Sequence, residues 1–464
     1  MGIGGVAMGT LACMLKTTGY TVTGSDRGVY PPMSDILAEA KIPVTEGFAP
    51  ENFEGADLVV VGNAMTRGNP EVEALLNGTT RYCSMATAIR QFFLRGKEVI
   101  AIAGTHGKTT TTALLSHILA TAGEDPSCLI GGVSIDLGAN FRLGEGKYFV
   151  IEADEYDSAF FEKVPKFIFY RPRHLVITSL EFDHADIYDS LDEITKWFRY
   201  LIRTIPSEGN LVYNAGNDTL TELAEEAYSM VSSYGTEESD SAASFLRYEN
   251  GYGVHLLKDN ETGSGELPTK LIGEFNLQNI SAAAAMALRL GIPRKKVIDG
   301  IKTFRGVKRR QEVIYEAENL TVYEDFAHHP TAIAAVLAAF RHRHPKAVIM
   351  ALYEPRSATS RRKVFQDELP GAFSEADRIM IKSPFRLEGI PDDEQIDITA
   401  VMEAFHSMGK NAGLFFEVDA MIEELVDEIK PSIETIVVIM SNGGFEGIYS
   451  KLTDRLKSIK NVSQ

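Results

Sequence analysis

Residues 101–115 read AIAGTHGKTTTTALL: an apolar run, a glycine-bounded turn, a lysine, four threonines and helix formers. An apolar strand that turns sharply into a helix presents the helix's first backbone N–H groups to the turn, and those groups favour an anion such as a phosphate. Gly104, Thr105, His106 and Gly107 form the turn. Lys108 adds a positive charge for terminal phosphates, and Thr109 or Thr110 offers a hydroxyl of the kind that coordinates Mg2+. The strict P-loop pattern requires glycine five residues before Gly107, where this chain has Ile102, so the loop is a shortened form. A fortuitous Gly-Lys-Thr at a strand–helix junction is the competing explanation. The apolar run before it and the threonine run after it weigh against coincidence.

Four further groups of residues could join such a loop. In IEADEYD, Glu152 ends an apolar run, with Asp154, Glu155 and Asp157 behind it. Acids at strand ends beside a phosphate loop commonly hold Mg2+ directly or through water. In LEFDHADIY, His184 stands between Asp183 and Asp186 at another strand end. A lone histidine is more often structural than a ligand, and Mg2+ prefers oxygen. In VKRRQE, Arg309 and Arg310 are suited to phosphoryl charge, against the plainer reading of a basic interdomain surface. In YEDFAHHPT, Asp325, His328, His329 and Pro330 follow a strand; companion ligands at zinc spacing are missing, so a nucleotide or substrate contact fits better.

The elements needed to position these groups form three α/β blocks without internal repeats, at residues 1–97, 98–312 and 313–464. In the first, GIGGVAMG opens a helix and YTVTGSD and ADLVVVGNAM read as strands. The sequence starts almost inside the first loop, so the first strand of that unit is missing or cut short. In the second, KEVIAIAG, KYFVIEAD and HLVITSL are strands, and a helix follows from Asp189 or Ser190 as N-cap. The polar stretch 232–268 reads as a short antiparallel insertion, and NLQNISAAAAMALRLG is a strong helix closed by Gly291. In the third, NLTVYEDF, KAVIMALYE, DRIMIKS, GLFFEV and TIVVIMSN alternate with helices, the pattern of a mostly parallel sheet. The expected architecture is α/β with an N-terminal Rossmann-like domain, a central P-loop-type domain with a mostly parallel sheet, and a C-terminal Rossmann-like domain.

The 464 residues include 46 Lys and Arg against 64 Asp and Glu, a net charge of −18 that disfavours nucleic acid as a partner. The three cysteines, Cys13, Cys83 and Cys128, are widely spaced and odd in number, which fits a reducing cytoplasm better than a disulfide scaffold. No apolar run reaches membrane-span length, so no membrane insertion is expected.

Taken in order, GTHGKTT, EADE, FDHAD, GEFNLQN, KRRQE and AHHPT resemble the Mur ligases, ATP-dependent amide-forming enzymes of bacterial cell-wall synthesis that use the shortened loop. The resemblance spans essentially the whole chain. GIGGVAMG, THGKTTT and AHHPT are similar to the branch acting on UDP-N-acetylmuramate. VYPPMS, GNAMTRGNPEVEALL, IEADEYDSAFFEK, LEFDHADIYD, YEPRS and MSNGGFEGI favour, within that branch, re-attachment of the recycled tripeptide L-alanyl-γ-D-glutamyl-meso-diaminopimelate over addition of L-alanine.

The resemblance implies that Lys108 lies on the ATP phosphates, that Thr109, Glu152 and His184 hold Mg2+, and that Arg310 contacts phosphate. It further implies that Asn276 and Asn279 bind adenine and that Asp325 lies on the ribose side. Phe275 replaces a histidine often found before the first of those asparagines. Some relatives carry a carbamylated lysine; the corresponding place is near Arg199, and that role does not transfer to Lys196. Gly2, Gly4 and Gly5 would cradle the uridine diphosphate, with Ser25, Asp26, Asn63, Thr66 and Arg67 as further sugar-nucleotide contacts. Arg356, Ser357 and Asn442 are the expected contacts for the peptide, and His328 is an expected substrate contact.

The partners expected are these small molecules, in a monomer or weak homo-oligomer whose domains hinge near residues 97 and 312. Two other readings compete. An NAD-dependent oxidoreductase would use the glycine-rich start and Asp26 but leaves GTHGKTT unexplained. A nucleotide switch keeps the loop but gives no reason for Glu152, His184 and a third α/β block.

Overall fold

The computed structural model describes residues 1–182, 187–250 and 252–462, with side chains to residue 459. Hydrophobic runs of four to eight residues, β-branched and buried on both faces, build the two large sheets. The central sheet has ten strands. Its middle is parallel, in the order Met230–Tyr234, Asn210–Asn214, His174–Ile177, Glu98–Ala103, Tyr148–Glu152 and Ser127–Ser134. Ala139–Arg142 adds antiparallel at one edge. At the other edge Ser241–Glu249 joins parallel to Met230–Tyr234, and Tyr252–Asp259 and Gly263–Thr269 continue antiparallel. The polar stretch expected to be a short antiparallel insertion supplies these antiparallel strands, and they extend the central sheet; each strand leaves backbone donors open at its edge, and the next satisfies them.

Two helices cover the face of the sheet behind the glycine-lysine loop. Lys108–Ala122 buries Leu114, Leu115, Ile118 and Leu119, all 0% exposed. Glu274–Arg289 packs against it through an alanine run, and the small side chains allow close helix approach. The helix expected after Asp189 spans Leu191–Arg203, with Ser190 accepting the Glu193 N–H as its N-cap.

The C-terminal sheet has six strands in the order Glu312–Ala317, Leu320–Asp325, Thr435–Met440, Val348–Tyr353, Arg378–Lys382 and Asn411–Phe415, all parallel except the first. The N-terminal block holds two parallel pairs, Gly24–Asp26 with Val44–Glu46 and Val59–Val61 with Tyr82–Ser84. Residues 1–3 lie between them: the Gly2 and Ile3 N–H groups reach Ser25 O, and the Met1 ammonium reaches Val60 O at 2.9 Å. No helix is long and apolar enough to cross a membrane among the described residues.

Beyond the parallel core, His255 on Tyr252–Asp259 is 4% exposed, and its two ring nitrogens have no hydrogen-bond partner among the described residues. Burial pulls its pKa down to about 4, so the folded chain resists the proton that the unfolded chain accepts near pH 6.5. Its contribution is complete above that value and is lost as pH falls toward 4. We predict that the wild type loses about 2 kcal/mol more stability than His255→Phe between pH 7 and pH 5. Urea midpoints at the two pH values measure this, and equal losses would refute it.

Candidate active site

The loop and its partners lie at the carboxyl ends of the central parallel strands, where the sheet leaves a crevice. Gly107 is the N-cap of Lys108–Ala122 at φ +81°, and a Cβ there would lie 2.3 Å from Asn279 Oδ1. Only glycine combines that left-handed backbone with such close approach to the neighbouring helix. Ser179 holds the turn from the adjacent strand end, its Oγ accepting the His106 N–H at 2.9 Å.

Lys108 is buried, and its Nζ donates to Gly104 O at 2.6 Å and to the Glu155 carboxylate at 2.9 and 3.1 Å. Asp154 lies 3.7 Å away. Burial alone would discharge the amine, but Glu155, Asp154 and Glu152 outweigh it and hold the lysine above its ordinary pKa.

Glu152 accepts the Thr109 hydroxyl at 3.0 Å and the Gly131 N–H at 2.7 Å. Its pKa is raised by burial, with Lys108 and the Gly131 N–H opposing. A Cβ on Gly131 would come 2.6 Å from the carboxylate, so this neighbouring strand must pass as glycine. Thr109 and Glu152 thus place a hydroxyl and a carboxylate oxygen side by side, a hard oxygen donor pair suited to Mg2+. His184, with Asp183 and Asp186, lies outside the described residues.

The junction between the large sheets supplies another wall. Arg309 and Gln311 have φ +62° and +51°, which turns successive side chains to different sides. Arg309 points into the C-terminal domain, to Glu324 at 2.6 Å and to Ser441 and Gly443 carbonyls. Arg310 lines the crevice, its guanidinium 4.7 Å from the Phe326 ring centre; burial lowers its pKa, with Asp325 and Glu152 opposing. Asp325 is 3% exposed and accepts the Gln311 and Ala327 N–H groups, both at 2.8 Å. Its carboxylate is therefore engaged with backbone, which ties the junction to the strand end.

Asn276 and Asn279 form a relay: Thr111 Oγ1 donates to Asn279, Asn279 to Asn276, and Asn276 to Gln311 Oε1 at 3.1 Å. A third wall comes from Pro330–Arg343 and the loop before it. Glu181 accepts Thr331 Oγ1 at 3.1 Å and lies 3.5 Å from His106 Nε2; that His106 contact, first among several, draws its pKa below the carboxylate range.

These walls enclose a cavity of about 460 Å3 lined by Lys108, Thr109, Glu152, Asn276, Asn279, Arg310, Asp325, His328, Ser357 and Asn442. The structure brings those sequence-predicted residues together with Thr105, His106, Gly107 and Thr110.

Other predicted residues lie elsewhere. Arg356 stacks 3.8 Å from the Phe385 ring centre and is 3.5 Å from Glu354, off this cavity's lining. Arg199 pairs with Glu226. In the N-terminal block, Gly4 N–H donates to Asp26 Oδ2 at 2.8 Å, and Gly5 caps the helix Val6–Thr17. Ser25 does not face outward as expected for a ligand contact: it is 3% exposed and gives its hydroxyl to buried Glu71 at 2.6 Å. Asn63, Thr66 and Arg67 are exposed, and Arg67 pairs with Glu73 at 2.9 Å.

Sequence reasoning gave no role to Gly131, Glu181 or Gln311, and none specific to Glu155. Only the run of acids after Glu152 hinted at the last, because the others reach the site through strands and loops remote in sequence.

Three family descriptions match successive parts of the chain: Mur ligase family, catalytic domain, at 1–97; Mur ligase middle domain at 102–287; and Mur ligase, glutamate ligase domain, at 309–443. The chain is 38% identical over 467 residues to the UDP-N-acetylmuramate–L-alanyl-γ-D-glutamyl-meso-2,6-diaminoheptanedioate ligase of Escherichia coli K12, covering 100% of this chain and 99% of that one. A UDP-N-acetylmuramate–L-alanine ligase of Clostridium acetobutylicum is 34% identical over 382 residues, covering 82% and 81%. Among solved structures, a murein peptide ligase from Psychrobacter arcticus 273-4 matches with TM-score 0.72 and 34% identity, covering 97% and 96%. With three successive domain matches and full-length identity of 38%, the chain belongs to the Mur ligase family.

Proposed function

We propose that the protein is an ATP-dependent ligase that joins UDP-N-acetylmuramate to the tripeptide L-alanyl-γ-D-glutamyl-meso-diaminopimelate through an acyl phosphate. The observation that carries this reading is the convergence of Lys108, the Thr109–Glu152 oxygen pair and Arg310 on one cavity at the strand ends. It is supported by full-length similarity to the tripeptide ligase of E. coli, which exceeds in identity and coverage the similarity to the C. acetobutylicum alanine ligase.

The chemical problem is that a carboxylate is anionic and a poor electrophile, and it must meet an anionic phosphate. Lys108 and Arg310 supply fixed positive charge where those partners meet, in a walled site where charges are weakly screened. The N–H groups opening Lys108–Ala122 receive phosphate oxygens. Asn276 and Asn279, held by their relay, orient the base. Thr109 and Glu152 would hold Mg2+, which when bound supplies charge neutralisation at the phosphates. Arrival of a nucleotide gives Lys108 a competing anion, so the Lys108–Glu155 pair holds the site preorganised beforehand. Gly2, Gly4 and Gly5 at the helix start Val6–Thr17 are the proposed diphosphate cradle, and Ser357 and Asn442 face the amine substrate. Among the described residues no helix is long and apolar enough to cross a membrane, and a cytoplasmic location is part of this proposal.

ADP release should require both the sugar nucleotide and an amine, and should be faster with the tripeptide than with free L-alanine. Equal or better turnover with L-alanine would move the assignment to the alanine-adding activity. Lys108→Ala should lower ligation at least about 10³-fold, the scale of losing a principal electrostatic stabiliser, while leaving sugar-nucleotide binding nearly intact. Isothermal titration with UDP-N-acetylmuramate and a coupled ADP assay separate the two, and surviving ligation would refute the phosphate role.

A further inference from the structure

On the ligase reading above, on which this inference rests, the C-terminal domain carries the amine substrate to the cavity, and its orientation decides where the amine arrives. We propose that Phe245, Tyr248 and His342, none of which lines the cavity, are positioning residues for amide formation: they clasp the far end of the helix Pro330–Arg343 and so hold the C-terminal domain over the site.

That helix has 14 residues and is therefore about 21 Å long. Its first turns line the cavity through Thr331, Ala332 and Ala335, and Thr331 is tied to Glu181 of the central domain. A rigid rod tied at one end still swings about that tie. The second tie lies at the other end, on His342 in the last turn. His342 Nδ1 is 3.1 Å from Tyr248 Oη, a hydrogen bond between the domains. The His342 ring meets the Phe245 ring edge-on, with 5.0 Å between centres and 85° between planes. The neighbouring Arg343 guanidinium lies 5.3 Å from the centre of the Tyr248 ring. Two ties at opposite ends fix the direction of the helix, and the rest of its domain follows.

The platform is built for this contact. Phe245 and Tyr248 stand three residues apart on the strand Ser241–Glu249, a spacing that in a regular strand sends two side chains to opposite faces. Pairing with Tyr252–Asp259 runs from Phe245 opposite His255 to Arg247 opposite Val254, so Leu246 is an extra residue and the strand bulges there. The bulge returns Tyr248 to the side of Phe245, and their ring centres are 4.7 Å apart. The His255 ring backs Phe245 from the next strand at 5.5 Å. The antiparallel extension thus carries an aromatic pair out from the parallel core to the end of a helix in another domain. Tyr248 is 39% exposed, so the clasp is at the surface, where the domains can part without opening a core.

A site that accepts the amine only when clasped has its apparent affinity reduced by the unclasped fraction. Loss of the clasp therefore acts on KM for the tripeptide and leaves the chemical step at the cavity alone.

Steady-state kinetics and small-angle scattering test this. Tyr248→Ala and His342→Ala should each raise the tripeptide KM about 3- to 10-fold, the scale of one or two aromatic contacts, without lowering kcat. The double variant should not exceed the larger single effect, because both changes remove one contact. Tyr248→Phe, which keeps the ring, should lie between wild type and Tyr248→Ala. Titration calorimetry should give unchanged affinity for UDP-N-acetylmuramate in every variant, and unliganded Tyr248→Ala should have a larger radius of gyration than wild type. An unchanged KM, an unchanged radius of gyration, independent effects in the double variant, or a parallel loss of sugar-nucleotide binding would each overturn the assignment. A wild type that releases no ADP in response to the tripeptide would instead sink the ligase reading, and scattering would still decide whether the clasp holds the domains.

Discussion

The site depends on keeping a buried lysine charged. Lys108 lies beneath the glycine turn, where burial penalises the ammonium, and Glu155, 2% exposed, lies beneath it where burial penalises the carboxylate. Neither is tolerable alone; together, with Asp154 and the Gly104 carbonyl, they make a compensated unit. That unit fixes the loop's position relative to the strand Tyr148–Glu152, whose last residue brings the Thr109–Glu152 oxygen pair into register. A chain with an excess of acids can therefore hold anions: the acids are spent locally on setting the cations, and N–H groups and guanidinium face the cavity.

Coupling between the central and C-terminal sheets follows the same economy of contacts. Residues 309–311 alternate direction because two of them occupy left-handed backbone. One arginine is thereby given to the C-terminal strand ends and the next to the cavity. Asp325 accepts Gln311 N–H, and Gln311 Oε1 accepts Asn276, so the junction, the C-terminal strand end and the helix Glu274–Arg289 are joined by one chain of hydrogen bonds. Thr331 to Glu181 is a second tie across the same gap. A shift of the C-terminal domain must break or carry these bonds, which links its position to the shape of the cavity.

Much of this was legible in the residue order. The glycine-lysine loop, the parallel strands and the alanine-rich helix announce themselves through local composition and apolar periodicity. Glu152 could be singled out because it ends an apolar strand. The antiparallel strands of the polar stretch were legible, but their attachment to the edge of the central sheet was not, because pairing partners at a sheet edge are not encoded in the periodicity of either strand. Ser25 was placed with Asp26 among the sugar-nucleotide contacts because the two close a strand; the buried Glu71, remote in sequence, is what draws the Ser25 hydroxyl inward.

By itself the sequence determined the family and the α/β class, and it named the residues proposed for phosphate chemistry, since each of those is carried by local order and spacing. Tertiary structure decided which of two adjacent arginines serves the cavity. Such neighbours are equivalent in composition. They differ only in the backbone torsions and in the donor or acceptor each meets, and these arise from contacts between segments far apart in the chain.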